Sequence, residues 1–143
     1  MEILQRLTRR QLDALQAVAG GDATGRGATL NSVAETLHVR PPSALDHLTQ
    51  LEELGLVVRY RGKSRLTPRG GSTLEEYRRH HRIAEGLFSR MGLSAEETCK
   101  AAREVDRAIS HRTIEQLCAA EGHPSRCPHG EPIPACKGSA RQG

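Results

Sequence analysis

Apolar residues recur at roughly helical spacing over residues 7–19, where Leu7, Leu12, Leu15 and Val18 predict a first helix. The stretch GGDATGRG (20–27) then interrupts the pattern with four glycines. Asn31 is a suitable N-cap for a short second helix, SVAETLHV, that turns Val33, Ala34 and Leu37 inward. In RPPSALDHLTQLEELGLV (40–57) the two prolines suit a first helical turn, where a missing N–H has no partner to lose. Ala44, Leu48, Leu51 and Leu54 form one apolar stripe, and Gly55 marks the stop. The period then changes. LVVRYRGKSRLTPRG (56–70) reads as two short strands with a turn at Gly62-Lys63. Helix, short helix, helix and basic hairpin is the order of a winged helix-turn-helix; the alternative is a three-helix domain with an incidental hairpin.

The remainder is helical. TLEEYRRHHRIAEGLFSRM (73–91) carries Leu74, Tyr77, Ala84, Leu87, Phe88 and Met91 near one side and closes at Gly92. Ser94 with Glu97 three residues on forms a capping box for AEETCKAA, which either runs on or steps over into REVDRAISHRTIEQL. The expected fold is therefore mainly α. A winged helix-turn-helix (1–72) precedes a helical domain (73–136), and KGSARQG (137–143) is expected to be a disordered tail. No internal repeat and no catalytic nucleophile motif is present.

Composition narrows the chemistry. With 2% aromatic residues and no Trp among 143, the core has to be aliphatic. A net charge of +4 suits an anionic partner. MEILQRLTRR lacks the apolar core of a signal peptide and no apolar run approaches membrane-spanning length, so a soluble, cytoplasmic protein is expected. On that expectation Cys99, Cys118, Cys127 and Cys136 are reduced thiols, which favours metal or redox roles over staples. GHPSRCPHGEPIPAC (122–136) concentrates two cysteines and two histidines in a proline-rich loop. It reads as a local zinc knuckle (His123, Cys127, His129, Cys136), a disulfide staple, or one piece of a larger metal site.

On the nucleic-acid side, the exposed face of residues 40–54 offers Arg40, Ser43, Asp46, His47 and Gln50. Ser43, His47 and Gln50 can hydrogen-bond base edges, whereas Asp46 is a poor neighbour for phosphate. Arg59, Arg61, Lys63 and Arg65 place four cations in one hairpin, interleaved with Tyr60 and Leu66. The bland alternative is a solvated charged turn.

LEELGLVVRYRGKSRLTPRG, HHRIAEGLF, GLSAEET and GHPSRCPHGEPIP together resemble, in the same order over residues 7–134, the diphtheria-toxin-repressor family of iron- and manganese-dependent repressors. That family's third, SH3-like domain has no counterpart in this sequence. The resemblance implies a homodimer that binds a palindromic double-stranded DNA operator, with a second domain supplying the dimer interface and two metal sites.

The family's ancillary site implies His81 and Glu85, one turn apart on the long helix, and Cys99 where the family usually has His. Its folded-back loop then brings Cys127 alongside, with Glu131 in reach. The implied cofactor is one divalent transition metal per chain at His81, Glu85, Cys99 and Cys127, zinc by ligand type, with iron(II) as the alternative. Against this stands a plain reading: a His81–Glu85 ion pair and a Cys99 that packs as a small hydrophobe.

The family's primary site does not carry over. Arg103 and Arg107 occupy its ligand positions, and a guanidinium has no lone pair to donate. Arg10, Arg103 and Arg107 paired with Asp13 and Asp106 would be a salt-bridge cluster in its place, or simply solvated surface charge.

The leading expectation is a metal-dependent repressor and not an enzyme. Its rivals are a Cys99–Cys127 redox switch, a metal-independent DNA-binding regulator, a small metalloenzyme using His81 and Glu85, and a protein-binding dimer with a vestigial helix-turn-helix.

Overall fold

The structure, a computed structural model, describes residues 2–135. Both the segment 137–143 and Cys136 lie outside the described residues. Helices α1 (Ile3–Arg6), α2 (Arg9–Asp22), α3 (Leu30–Leu37), α4 (Pro41–Glu53), α5 (Pro68–Arg90), α6 (Ala95–Val105) and α7 (His111–Ala120) are joined by strands β1 (Ala28–Thr29), β2 (Val57–Tyr60) and β3 (Lys63–Leu66). The fold is mainly α, a winged helix-turn-helix followed by a helical domain. It divides into two units, Leu7–Leu74 and a second made of 1–6 with 75–143. No helix among the described residues is long and apolar enough to cross a membrane.

In the first unit α2 opens with a capping box: the Thr8 hydroxyl accepts from the Gln11 N–H and the Gln11 side chain accepts from the Thr8 N–H. The helix does not stop at the glycines; it runs through Gly20 and Gly21 to Asp22. A Cβ at Gly21 would lie 2.7 Å from the Ala28 Cα, so this glycine lets β1 pass against the helix. That close approach overrides the poor helix propensity of glycine. The short helix α3 is capped by Thr29, whose hydroxyl accepts from the Ser32 N–H, two positions before the expected Asn31. Arg40 is the N-cap of α4, with Pro41 and Pro42 in its first turn, and Gly55 follows its end at φ +74°.

The sheet order is β1-β3-β2, antiparallel, with Val57 opposite Leu66 and Tyr60 opposite Lys63. The wing turns at Arg61-Gly62, both with positive φ as a tight hairpin needs, one residue earlier than the sequence pattern indicates. Leu12, Leu15, Val18, Val33, Leu48, Leu51 and Leu56 fill this unit's core.

Helix α5 begins at Pro68, five residues before the apolar period becomes visible, and passes Gly70 where a Cβ would collide with the Leu56 carbonyl. In the second unit Ser94 and Glu97 form the expected capping box of α6. The chain then steps over rather than running on, and Ser110 caps α7 by accepting from the Thr113 N–H. Ile83, Ile114 and Cys118 form the unit's apolar centre, with Ile109, Leu117 and Ile133 against it. Ile133 comes from the proline-rich loop, so the loop is anchored by burial as well as by hydrogen bonds.

Candidate metal centre and nucleic-acid surface

Glu85 sits on α5 and is 4% exposed. Its Oε1 is 2.9 Å from His81 Nε2, one turn back on the same helix. The other ring nitrogen of His81, Nδ1, is 2.9 Å from Asp106 Oδ2, a carboxylate at the end of α6 with no exposure at all. The Asp106 carboxylate behind Nδ1 fixes the ring with Nε2 turned toward Glu85, the arrangement by which a carboxylate orients a ligating imidazole. Cys99 Sγ, on α6, is 3.8 Å from the same Nε2.

The loop closes over Glu85 from the other side. Arg79 donates to the Pro134 carbonyl at 2.9 Å and Arg82 to the Pro132 carbonyl, while Ile133 N–H donates to the Ser125 carbonyl. Within the loop the Cys127 N–H donates to the Glu131 carbonyl and the Gly130 N–H to the Cys127 carbonyl, each at 2.9 Å, which makes a tight turn over 127–131. This turn points Cys127 and His129 at one spot. His129 Nε2 donates to the Ala95 carbonyl at 3.1 Å, which turns Nδ1 against Glu85 Oε2.

One donor atom each from Glu85, Cys127 and His129 lies within 4.8 Å of the other two. Glu85 Oε2 is buried, has His129 Nδ1 against it and makes no hydrogen bond of acceptable geometry. A buried carboxylate oxygen, a buried thiol and an oriented imidazole together fit a divalent transition metal.

Of the residues expected from the sequence, His81 adjoins one oxygen of Glu85 and Cys127 groups with Glu85 and His129, while Cys99 Sγ reaches His81 Nε2 at 3.8 Å. The ligand set His81, Glu85, Cys99, Cys127 omits His129; its signal was the Cys-x-His spacing, which a tight turn converts into two convergent donors. Glu131 takes part through its backbone carbonyl. His123, assigned to the local knuckle, lies instead with its Nδ1 3.5 Å from Cys118 Sγ. Among the described residues Cys99, Cys118 and Cys127 form no disulfide. Of the five residues of the expected charge cluster, Arg10 and Asp13 fall in the first unit and Arg103, Asp106 and Arg107 in the second. Arg10 donates to the Leu37 carbonyl at 3.3 Å, and the Asp106 carboxylate is engaged by His81.

Among the nucleic-acid candidates, Arg40 and Ser43 are exposed at the start of α4 and His47 is half-buried. Gln50 is exposed, but its Oε1 accepts from Gln11 Nε2 at 2.8 Å. In the wing, Arg61 lies 5.1 Å from the centre of the Tyr60 ring, a cation–π contact that keeps its charge at the hairpin tip. Lys63 is exposed and Arg59 half-buried. Arg65 folds back: it donates to the Gly25 carbonyl at 2.6 Å and pairs with Asp22 at 3.8 Å, while the Leu66 N–H donates to the other Asp22 oxygen. The glycine-rich segment is thus pinned to β3.

Residues 67–135 match the family model described as iron dependent repressor, metal binding and dimerisation domain. No curated protein is similar enough in sequence to match. Among solved structures, a hypothetical protein from Sulfolobus solfataricus is 30% identical, with a TM-score of 0.85 over 90% of this chain and 100% of its own. The IdeR of T. acidophilum is 31% identical (TM-score 0.67; 89% of this chain, 59% of that one). A manganese-dependent transcriptional repressor in complex with manganese is 28% identical (TM-score 0.69; 87% and 60%). The chain therefore spans the whole of the first and about three-fifths of the other two.

Proposed function

This chain belongs to the iron-dependent repressor family, and on that premise we propose that it is a homodimeric DNA-binding regulator, a metal-dependent repressor of a palindromic operator. Its second unit holds a transition-metal centre on Glu85, Cys127 and His129, with His81 against Glu85 and Cys99 beside His81. The observation that supports this reading is the buried Glu85 carboxylate, with one imidazole against each oxygen and the Cys127 thiol within 4.8 Å.

Sulfur, nitrogen and carboxylate donors together suit zinc, with iron(II) as the alternative. A bound divalent metal supplies a cross-link between helix α5 and the loop 122–135. The chain's own residues set up that cross-link. Asp106 fixes the His81 ring, the Ala95 carbonyl fixes that of His129, and Arg79 and Arg82 hold the loop backbone in place. On the DNA side α4 is the recognition helix, with Arg40, Ser43, His47 and Gln50 toward base edges and phosphates. Arg59, Arg61 and Lys63 serve the wing as phosphate contacts, and Arg65 braces it from behind.

Elemental analysis of untagged protein beside a Cys127→Ser variant tests the centre. The variant is expected to hold one equivalent of zinc or iron per chain fewer than the parent. Equal metal content in the two would overturn the assignment.

A further inference from the structure

Helix α5 turns His80 to a different side from His81. His80 is fully buried, and neither of its ring nitrogens has a hydrogen-bond partner. Glu76, one turn earlier, places Oε1 3.6 Å from His80 Nε2. His111, the first residue of α7, places its Nδ1 3.8 Å from that same oxygen, and this nitrogen too is buried without a hydrogen-bond partner. The two imidazole rings lie nearly parallel, at 23°, with centres 6.1 Å apart. Two buried ring nitrogens, one from each histidine, facing one carboxylate oxygen call for an explanation, because buried polar atoms in folded proteins are nearly always paired with protein, water or an ion.

Direct hydrogen bonding does not supply that explanation, since both separations exceed its range. They do match ligands that share an ion: two donors held tetrahedrally at zinc distances are about 3.4 Å apart. One donor atom from each of Glu76, His80 and His111 falls within 4.8 Å of the other two. The outer ring of groups supports the same conclusion. His111 Nε2 faces Glu115 Oε1 at 3.8 Å, and Arg79 holds that carboxylate through Nε at 2.9 Å and Nη2 at 2.8 Å. The Glu2 carboxylate accepts from the His111 backbone N–H at 3.0 and 3.1 Å. The carboxylates of Glu2, Glu76 and Glu115 all border His111, and Arg79 pairs with Glu115.

We propose that Glu76, His80 and His111 form a second divalent-metal site, separate from the centre at Glu85. It takes zinc(II) on two imidazoles and one carboxylate, without sulfur, and ties α5 to the start of α7. Three protein ligands leave one position for water. Glu115, 3.8 Å from His111 Nε2, adds negative charge beside the site and acts through charge rather than through a hydrogen bond. This site does not depend on the metal or DNA reading given above.

The test begins with a chain carrying Glu85→Gln and Cys127→Ser, which removes donors from the first centre. Zinc(II) titrated calorimetrically into this background is expected to fill one remaining equivalent per chain. Cobalt(II) in its place should give ligand-field absorption with no thiolate charge-transfer band. Adding His111→Ala, at a half-exposed position, is expected to weaken the remaining equivalent by at least about 100-fold, and Glu115→Gln by about 10-fold. The melting temperature gives an independent readout: zinc should raise it in the background and leave it unchanged in the His111→Ala protein. A background that binds no zinc overturns the proposal. So does an equivalent that survives His111→Ala at full affinity, which would mark adventitious surface binding.

Discussion

In the winged-helix unit the candidate contacts are exposed cations, such as Arg40 on α4 and Arg61 and Lys63 in the wing, each acting on its own through solvent. In the second unit Glu85, Cys127 and His80 are buried, and two of the candidate imidazoles are held by another group: Asp106 behind His81 and the Ala95 carbonyl behind His129. The contrast shows where single substitutions bite. An exposed cation contributes one increment of a salt-dependent sum, whereas a buried donor belongs to a set that loses its purpose when one member goes. Arg65 tests the boundary, because it sits in the basic wing but is held by Gly25 and Asp22 as a structural brace.

The largest effects are expected in the buried set. Glu85→Gln and Cys127→Ser should each weaken the first metal by at least about 100-fold in competition with a chelator; a loss under threefold would mean the donors do not share an ion. Next comes Asp106→Asn, which keeps the shape but removes the charge behind His81. It is expected to lower metal affinity about 10-fold while circular dichroism stays unchanged. No change in affinity would leave Asp106 with a packing role alone.

On the exposed side, Arg61→Ala should reduce the slope of log affinity for duplex DNA against log salt by about 0.9, one phosphate contact. Arg65→Ala should leave that slope nearly intact and cost about 1 kcal/mol in urea unfolding instead. Equal slopes for both variants would erase the distinction between contact and brace. The smallest effects belong to the caps: Thr8→Ala and Ser94→Ala should each cost about 1 kcal/mol of stability, with no change in metal or DNA affinity.

Features with local causes were legible in the sequence. The α6 capping box, the prolines opening α4, the apolar stripe of α4 and the basic hairpin all follow from spacing within a few residues. What escaped depended on distant partners. The passage of α2 through Gly20-Gly21 is explained only by β1 lying against it, and β1 itself is too short to leave a period. Thr29 rather than Asn31 caps α3 because β1 delivers it there in an extended conformation. At the metal centre, Glu85 and Cys127 were legible through the resemblance to known repressors. His129 was not, since its aim depends on the turn at 127–131 and on the Ala95 carbonyl. The grouping of Glu76 and His80 with His111 was equally out of reach, because α7 comes from 31 residues further along and no spacing rule joins it to α5.

The central claim, a metal-governed DNA-binding regulator, is tested most directly by duplex affinity with and without metal. Duplexes would be selected from a random-sequence pool with the zinc-loaded protein, and the selected sequence then titrated before and after chelation. The account predicts a palindromic selected site, an affinity at least about 10-fold weaker after chelation, and the same weakened value for the Cys127→Ser variant whether or not zinc is present. An affinity that chelation leaves unchanged, in parent and variant alike, would contradict it.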